Sequence, residues 1–128
     1  MQDTKSLDTL RARLEALESR ARQTEGNEWS PGLNLAGAVI SALANCVDGR
    51  SDRQASGEEV WNFVHQRHNE PEFDIARVRY MLALLVAESL VEEHRAVPNK
   101  YNLFATRPTY SLPEWIADVM RALLEAED

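Results

Sequence analysis

Apolar residues recur along the start of the chain at alternating intervals of three and four: Leu7, Leu10, Leu14, Leu17 and Ala21. This spacing predicts an amphipathic helix over about Thr4 to Glu25 that carries the a/d seam of a short coiled coil. With Leu7 at an a position, Arg13 and Arg20 fall at g, and Glu18 and Glu25 at the following e. Those pairs attract across a parallel homodimer. The same stripe also suits packing on the chain's own domain. So few heptads do not make a stable free-standing coil, and under either reading the seam needs further contacts.

Gly26 to Gly32 breaks the pattern and reads as a linker or turn. A second helix is expected over Leu35 to Val47, with Leu35, Val39, Leu43 and Val47 on one stripe and Asp48-Gly49 closing it. Arg50 to Ala55 reads as a polar loop. Ser56-Gly57-Glu58-Glu59 has the Ser-x-x-Glu spacing of a capping box and starts a third helix that runs to about His68, burying Val60, Phe63 and Val64. Asp74 is the expected N-cap of a fourth helix, about Ile75 to Ser89, whose second half is apolar on nearly every side. The period then shortens. Leu90 to Val97 and Tyr101 to Ala105 read as two strands joined by Pro98-Asn99-Lys100, a β-hairpin. A second Ser-x-x-Glu, Ser111 to Glu114, predicts a terminal helix with Trp115, Ile116, Val119, Met120, Leu123 and Leu124 on a wide apolar stripe.

The expected class is therefore mostly α with a small β-hairpin wing. Three segments follow: residues 1–29, an N-terminal coiled-coil-like helix and linker; residues 30–110, the central domain; and residues 111–128, a C-terminal dimerisation helix. The order of helix, helix, helix and hairpin over Leu33 to Pro108 resembles a winged helix-turn-helix, in the style of the PadR and MarR transcriptional regulators. Three pieces carry the resemblance. They are the start of a core helix at Ser56 to Val64, the close of the long helix at Leu82-x-x-Leu85-x-x-x-Ser89-Leu90-Val91, and Asn99-Lys100-Tyr101-Asn102-Leu103 as the second wing strand. In those families the long helix commonly ends in Gly-Leu-Val. Ser89 stands at the glycine position, where a left-handed backbone costs a side chain something.

The resemblance implies that the fourth helix enters the major groove and the wing touches the adjacent backbone or minor groove. Position by position, this makes Arg77 and Tyr80, with Arg79 at the edge of that face, the groove-facing candidates. Arg95, Asn99 and Lys100 are the wing candidates. Arginine suits the task because its fork donates twice to guanine. The resemblance also implies a symmetric dimer through the terminal helices, with Leu7, Leu10, Leu14, Leu17, Trp115, Val119 and Leu123 at its interface. The expected partners are double-stranded DNA and a second copy of the chain. The alternative is a winged-helix protein-interaction module, an adaptor or inhibitor that does not bind DNA, since fold does not dictate function. Glu70, Glu72 and Asp74, directly before the long helix, favour the alternative because they would sit near phosphates.

Composition sharpens this picture. The 128 residues leave room for one domain and an added element, and the formal charge is −7. Nucleic-acid binders usually carry a basic footprint, so the acidity speaks against DNA until it is divided by segment. Glu114, Asp118, Glu125, Glu127 and Asp128 against Arg121 put much of the excess on the terminal helix, away from the proposed DNA face. One cysteine, Cys46, excludes an intramolecular disulfide and reads as a small buried hydrophobe. His65 and His68 share a helix face, and Cys46 or His94 would be needed to complete a metal site; ordinary surface histidines are the simpler reading. Trp29, Trp61 and Trp115 read as core or interface residues. No catalytic motif is present, so neither an enzyme nor a cofactor is expected. The N-terminus lacks the apolar run of a secretory signal, and the longest apolar stretch, Tyr80 to Ala87, falls far short of the ~20 residues of a membrane span. A cytoplasmic location follows as the expectation.

Overall fold

The computed structural model describes residues 4–24, 28–30, 32–95, 100 and 107–126. Five helices and a small antiparallel sheet follow one another as α1 (Thr4–Arg22), α2 (Leu35–Val47), β1 (Ala55–Ser56), α3 (Gly57–His68), α4 (Ile75–Ala87), β2 (Glu92–Arg95), β3 (Pro108–Ser111) and α5 (Glu114–Ala126). The chain is mostly helical, as its periodicity predicts.

α2 is the centre. Leu35, Ala36, Ala38, Val39, Ile40, Ala42, Leu43 and Ala44 are all buried, and α2 packs against each of the other four helices. A helix apolar around most of its circumference belongs inside, and its alanines let neighbours approach closely. Its start is fixed by Asn34, whose Oδ1 accepts from the Gly37 backbone N–H at 2.8 Å. A Cβ on Gly37 would come within 3.0 Å of the Asn34 side chain, so glycine leaves the cap its room.

The capping box at α3 forms as its spacing predicts: Ser56 Oγ accepts from Glu59 N, and Glu59 Oε1 accepts from Ser56 N. Asp74 caps α4 by accepting from Arg77 N at 2.8 Å. The far end of α4 closes with a left-handed residue, Ser89 at φ 61°, between the Ser89 N–H to Val86 O bond and the Leu90 N–H to Leu85 O bond. This is the double hydrogen bond of a Schellman close, with serine where glycine is usual. Leu90 and Val91, both 1% exposed, belong to this close and to the core. The first hairpin strand therefore starts at Glu92, two residues later than the pattern predicts.

The sheet departs further from expectation. Its order is β1-β3-β2, with β3 paired antiparallel on both sides, Glu93 and Ala55 each opposite Tyr110. The second hairpin strand is thus Pro108–Ser111; the run Tyr101 to Ala105, with Pro98 and Asn99, lies outside the described residues. Thr109 and Tyr110 suit a strand, and Pro108 is tolerated at its first position. Ala55, expected in a loop, is a strand residue, because β3 supplies a pairing edge that no local pattern announces. Ser111 does not cap the last helix either. It ends β3, its Oγ lies 2.7 Å from His94 Nε2, and α5 begins at Glu114.

The seam of α1 is occupied by its own chain. Leu10, Leu14, Leu17 and Ala21 are buried in one cluster with residues of α2, α3, α4 and α5, while Leu7 is half-buried. Three of the four charges assigned to a coiled coil are engaged at home as well; Glu25 lies outside the described residues. Arg13 Nη2 donates to the Glu88 backbone oxygen at 2.7 Å, Arg20 pairs with the Glu88 carboxylate at 2.6 Å, and Glu18 is buried. Leu10, Leu14 and Leu17 therefore face this chain's interior and not a partner. Of the remaining interface candidates, Val119 is buried against α1 and α2, whereas Trp115 and Leu123 are half-exposed. No described helix is long and apolar enough to cross a membrane.

Candidate nucleic-acid interface

The expected recognition residues lie on α4, whose orientation follows from its buried row of Val78, Met81, Leu82 and Leu85. Four residues are left on the open face: Ala76, Arg79, Ala83 and Ala87. Arg79 is exposed. Arg77 is turned back on its own N-terminus, where Nη1 donates to the Glu72 backbone oxygen and to Asp74 Oδ2, both at 3.1 Å. Its side chain is only 24% exposed, and its Nε is buried with no hydrogen-bond partner among the described residues. Tyr80 is half-buried and donates its hydroxyl to Thr24 Oγ1, just past the end of α1, at 3.2 Å. Two of the three helix candidates thus face their own chain, because four residues make more than one turn and Arg77 and Arg79 point to different sides.

The carboxylates before α4 are likewise in use. Glu72 accepts from the Ser30 backbone N–H at 2.7 Å and from its hydroxyl at 2.9 Å, fastening the end of the linker beside α4. Asp74 serves as cap and as the partner of Arg77. These bonds localise the acids without removing their charge.

Tyr110 of β3 lies against the start of α3. Glu93 is directly opposite Tyr110, and Arg95, two residues on, shares that face of the sheet. A Cβ added to Gly57 would lie 3.7 Å from the Tyr110 ring and 3.9 Å from Leu82, so both side chains close over the start of α3. Burial raises the Tyr110 pKa, as does Glu93, while Arg95 and Arg79 act to lower it. Arg95 is 63% exposed and donates to Glu93 at 2.8 Å; Arg107, at the entry to β3, is 86% exposed and only 3.4 Å from Glu58. Lys100 is exposed. Asn99 lies outside the described residues. Sequence reasoning misses Tyr110 and Arg107. Only the sheet register brings them to this face, although Pro-Thr-Tyr after a basic residue is a usable strand signal.

The other candidate chemistry disperses. Trp61 stacks on His65 with centroids 5.4 Å apart, His68 meets Phe73 edge-on, and His94 bonds to Ser111 across the sheet. Cys46 Sγ lies 3.6 Å from the Glu59 backbone oxygen, and burial raises its thiol pKa. Among the described residues no group of three or more His, Cys, Asp or Glu side chains is placed to hold a metal ion. Trp29 is buried, as expected of a core residue, and its indole N–H is bonded to Glu18. Comparisons of the chain with protein-family models, curated proteins and solved structures find no match.

Proposed function

We propose that the chain is a dimeric winged helix-turn-helix DNA-binding protein, a transcriptional regulator that offers α4 to the major groove and the β2–β3 hairpin to the flanking backbone. The observation that carries this reading is the exposure of Arg79 on α4 together with that of Arg95 and Arg107 on the hairpin strands and at their entry. Arg79 is the candidate for base contact; Arg95, Arg107 and Lys100 are candidates for phosphate contact, which positions without specifying. The order of elements, with three core helices followed by a hairpin, supports the same reading. One observation favours a second reading, a winged-helix protein-interaction module. Apart from Arg79 the open stripe of α4 is Ala76, Ala83 and Ala87, small residues that accept another protein's side chains better than they attract phosphate.

Titration of the protein with fragments of its own upstream region, at several salt concentrations, separates the two. A DNA-binding protein loses affinity steeply with salt, and the Arg79→Ala, Arg95→Ala double variant lowers the logarithmic slope by about 2, roughly one for each guanidinium removed from the DNA. A folded protein that binds no fragment even at low salt is the module.

A further inference from the structure

We infer that the DNA half-site read by this chain holds one guanine with a thymine within about two base pairs of it, Arg79 contacting the guanine and the methyl group of Ala76 or Ala83 contacting the thymine. This rests on the proposed entry of α4 into the major groove, and it follows from what the exposed face of that helix carries and what it lacks. Ala76, Arg79, Ala83 and Ala87 are the only exposed residues of α4.

Arg79 differs from the other arginines of the helix and hairpin. Arg77 is paired with Asp74, Arg95 with Glu93 and Arg107 with Glu58. Arg79 makes no hydrogen bond or ion pair among the described residues. A free guanidinium fork offers the two parallel donors that guanine O6 and N7 accept together. The same face has no asparagine or glutamine to meet adenine N6 and N7 at once, and no carboxylate to accept from cytosine N4. Asp74, the cap of this helix, is engaged by the Arg77 backbone N–H and guanidinium. What remains is methyl groups, and the apolar group that a base pair presents in the major groove is the thymine 5-methyl.

The spacing fits neighbouring base pairs. Ala76 and Ala83 stand three and four residues from Arg79, about 4.5 and 6 Å along the helix axis. Successive bases rise by about 3.4 Å, so a helix lying along the groove sets both methyls about one to two base pairs from the guanine. Ala87 is about 12 Å from Arg79, beyond the N-terminal part of the helix that such docking inserts.

Selection by the full chain from a duplex library randomised at its centre tests this, followed by binding titrations with altered bases in the recovered site. The recovered half-site is expected to hold an invariant guanine with a thymine about one or two base pairs away. Replacing that guanine by 7-deazaguanine, which lacks the N7 acceptor, is expected to weaken binding about tenfold. Deoxyuridine in place of the thymine removes one methyl group and is expected to weaken binding about fourfold, a difference that disappears in Ala76→Gly or in Ala83→Gly. Arg79→Ala keeps the helix, alanine being the best helix former, and is expected to bind DNA without preference at the guanine position. A protein that binds no duplex even at low salt overturns the DNA-binding reading and the half-site with it. Binding without a recovered consensus leaves that reading standing and overturns the half-site alone. So does a consensus lacking the guanine or its thymine, full affinity for either altered base, a uridine penalty that both glycine variants keep, or an unchanged guanine preference in Arg79→Ala.

Discussion

The Glu18 carboxylate accepts the Trp29 indole N–H at 2.6 Å and the backbone N–H groups of Leu35 and Ala36 at 2.8 and 2.6 Å, while only 4% exposed. Those two backbone groups are among the donors that a helix leaves unpaired at its start, and a negative charge there also meets the positive end of the helix dipole. One side chain thus fastens α1, the linker tryptophan and the central helix. Glu18→Ala strands three donors in the interior and is expected to cost about 2–4 kcal/mol in urea denaturation, with Glu18→Gln costing less. An unchanged midpoint would mean that water satisfies those donors. Glu59 is a second acid set by its partners: the hydrogen bond from Arg50, then the Ser56 N–H, lower its pKa from 4.5 to about 2. A depressed pKa stabilises the fold fully above the unfolded value and ceases to do so as pH falls through the folded one. Stability is therefore expected to decline from about pH 4.5 to pH 2, less steeply in Glu59→Gln. With the side chain 41% exposed, solvent screens the pair and the difference is small and salt-sensitive.

At the scale of elements, α4 divides its faces between the core, its own caps and the open side. Its buried row holds the core, its capping acids bind Arg77 and Ser30, and Arg79 is left on the open side. Its close is the weak point. Ser89 adopts φ 61° in an exposed position where a Cβ is disfavoured. Ser89→Gly is expected to raise stability by about 0.5–1 kcal/mol, read as a higher denaturation midpoint without change of slope. A loss would show that the serine hydroxyl contributes more than the backbone strain costs. α1 makes a different point. Its heptad-like stripe suits both a partner and its own domain, and the domain has it: an α1 packed along α2, α4 and α5 buries its leucines without needing a second chain.

At the scale of the molecule, the chain's charge and its assembly are linked through α5. That helix buries Ile116 and Val119 and leaves Trp115, Met120, Leu123 and Leu124 half-covered. The proposed dimer would cover this half-exposed apolar surface. If the protein dimerises there, Leu123→Asp is expected to halve its sedimentation mass while leaving its helical circular dichroism intact. A dimer that survives this change assembles elsewhere.

The sequence by itself determined most of the elements, because helices are written locally. The 3.6-residue stripe, Asp74 before a helix start, and the Ser56–Glu59 box depend on neighbours a few residues away, and α2, α3 and α4 begin where those signals say. The left-handed residue at Ser89 was implied by the resemblance to winged-helix regulators, and its φ of 61° agrees. What tertiary structure alone decided are the matters that rest on pairing between distant residues. β1 is a strand only because β3 lies beside it. Glu18 is a cap and not a coiled-coil charge because α1 folds back over the start of α2. Arg77 and Tyr80 face inward, and Arg79 with Arg95 outward, because packing chooses which side of α4 the chain covers. Periodicity names a helix's faces; it does not say what each will meet.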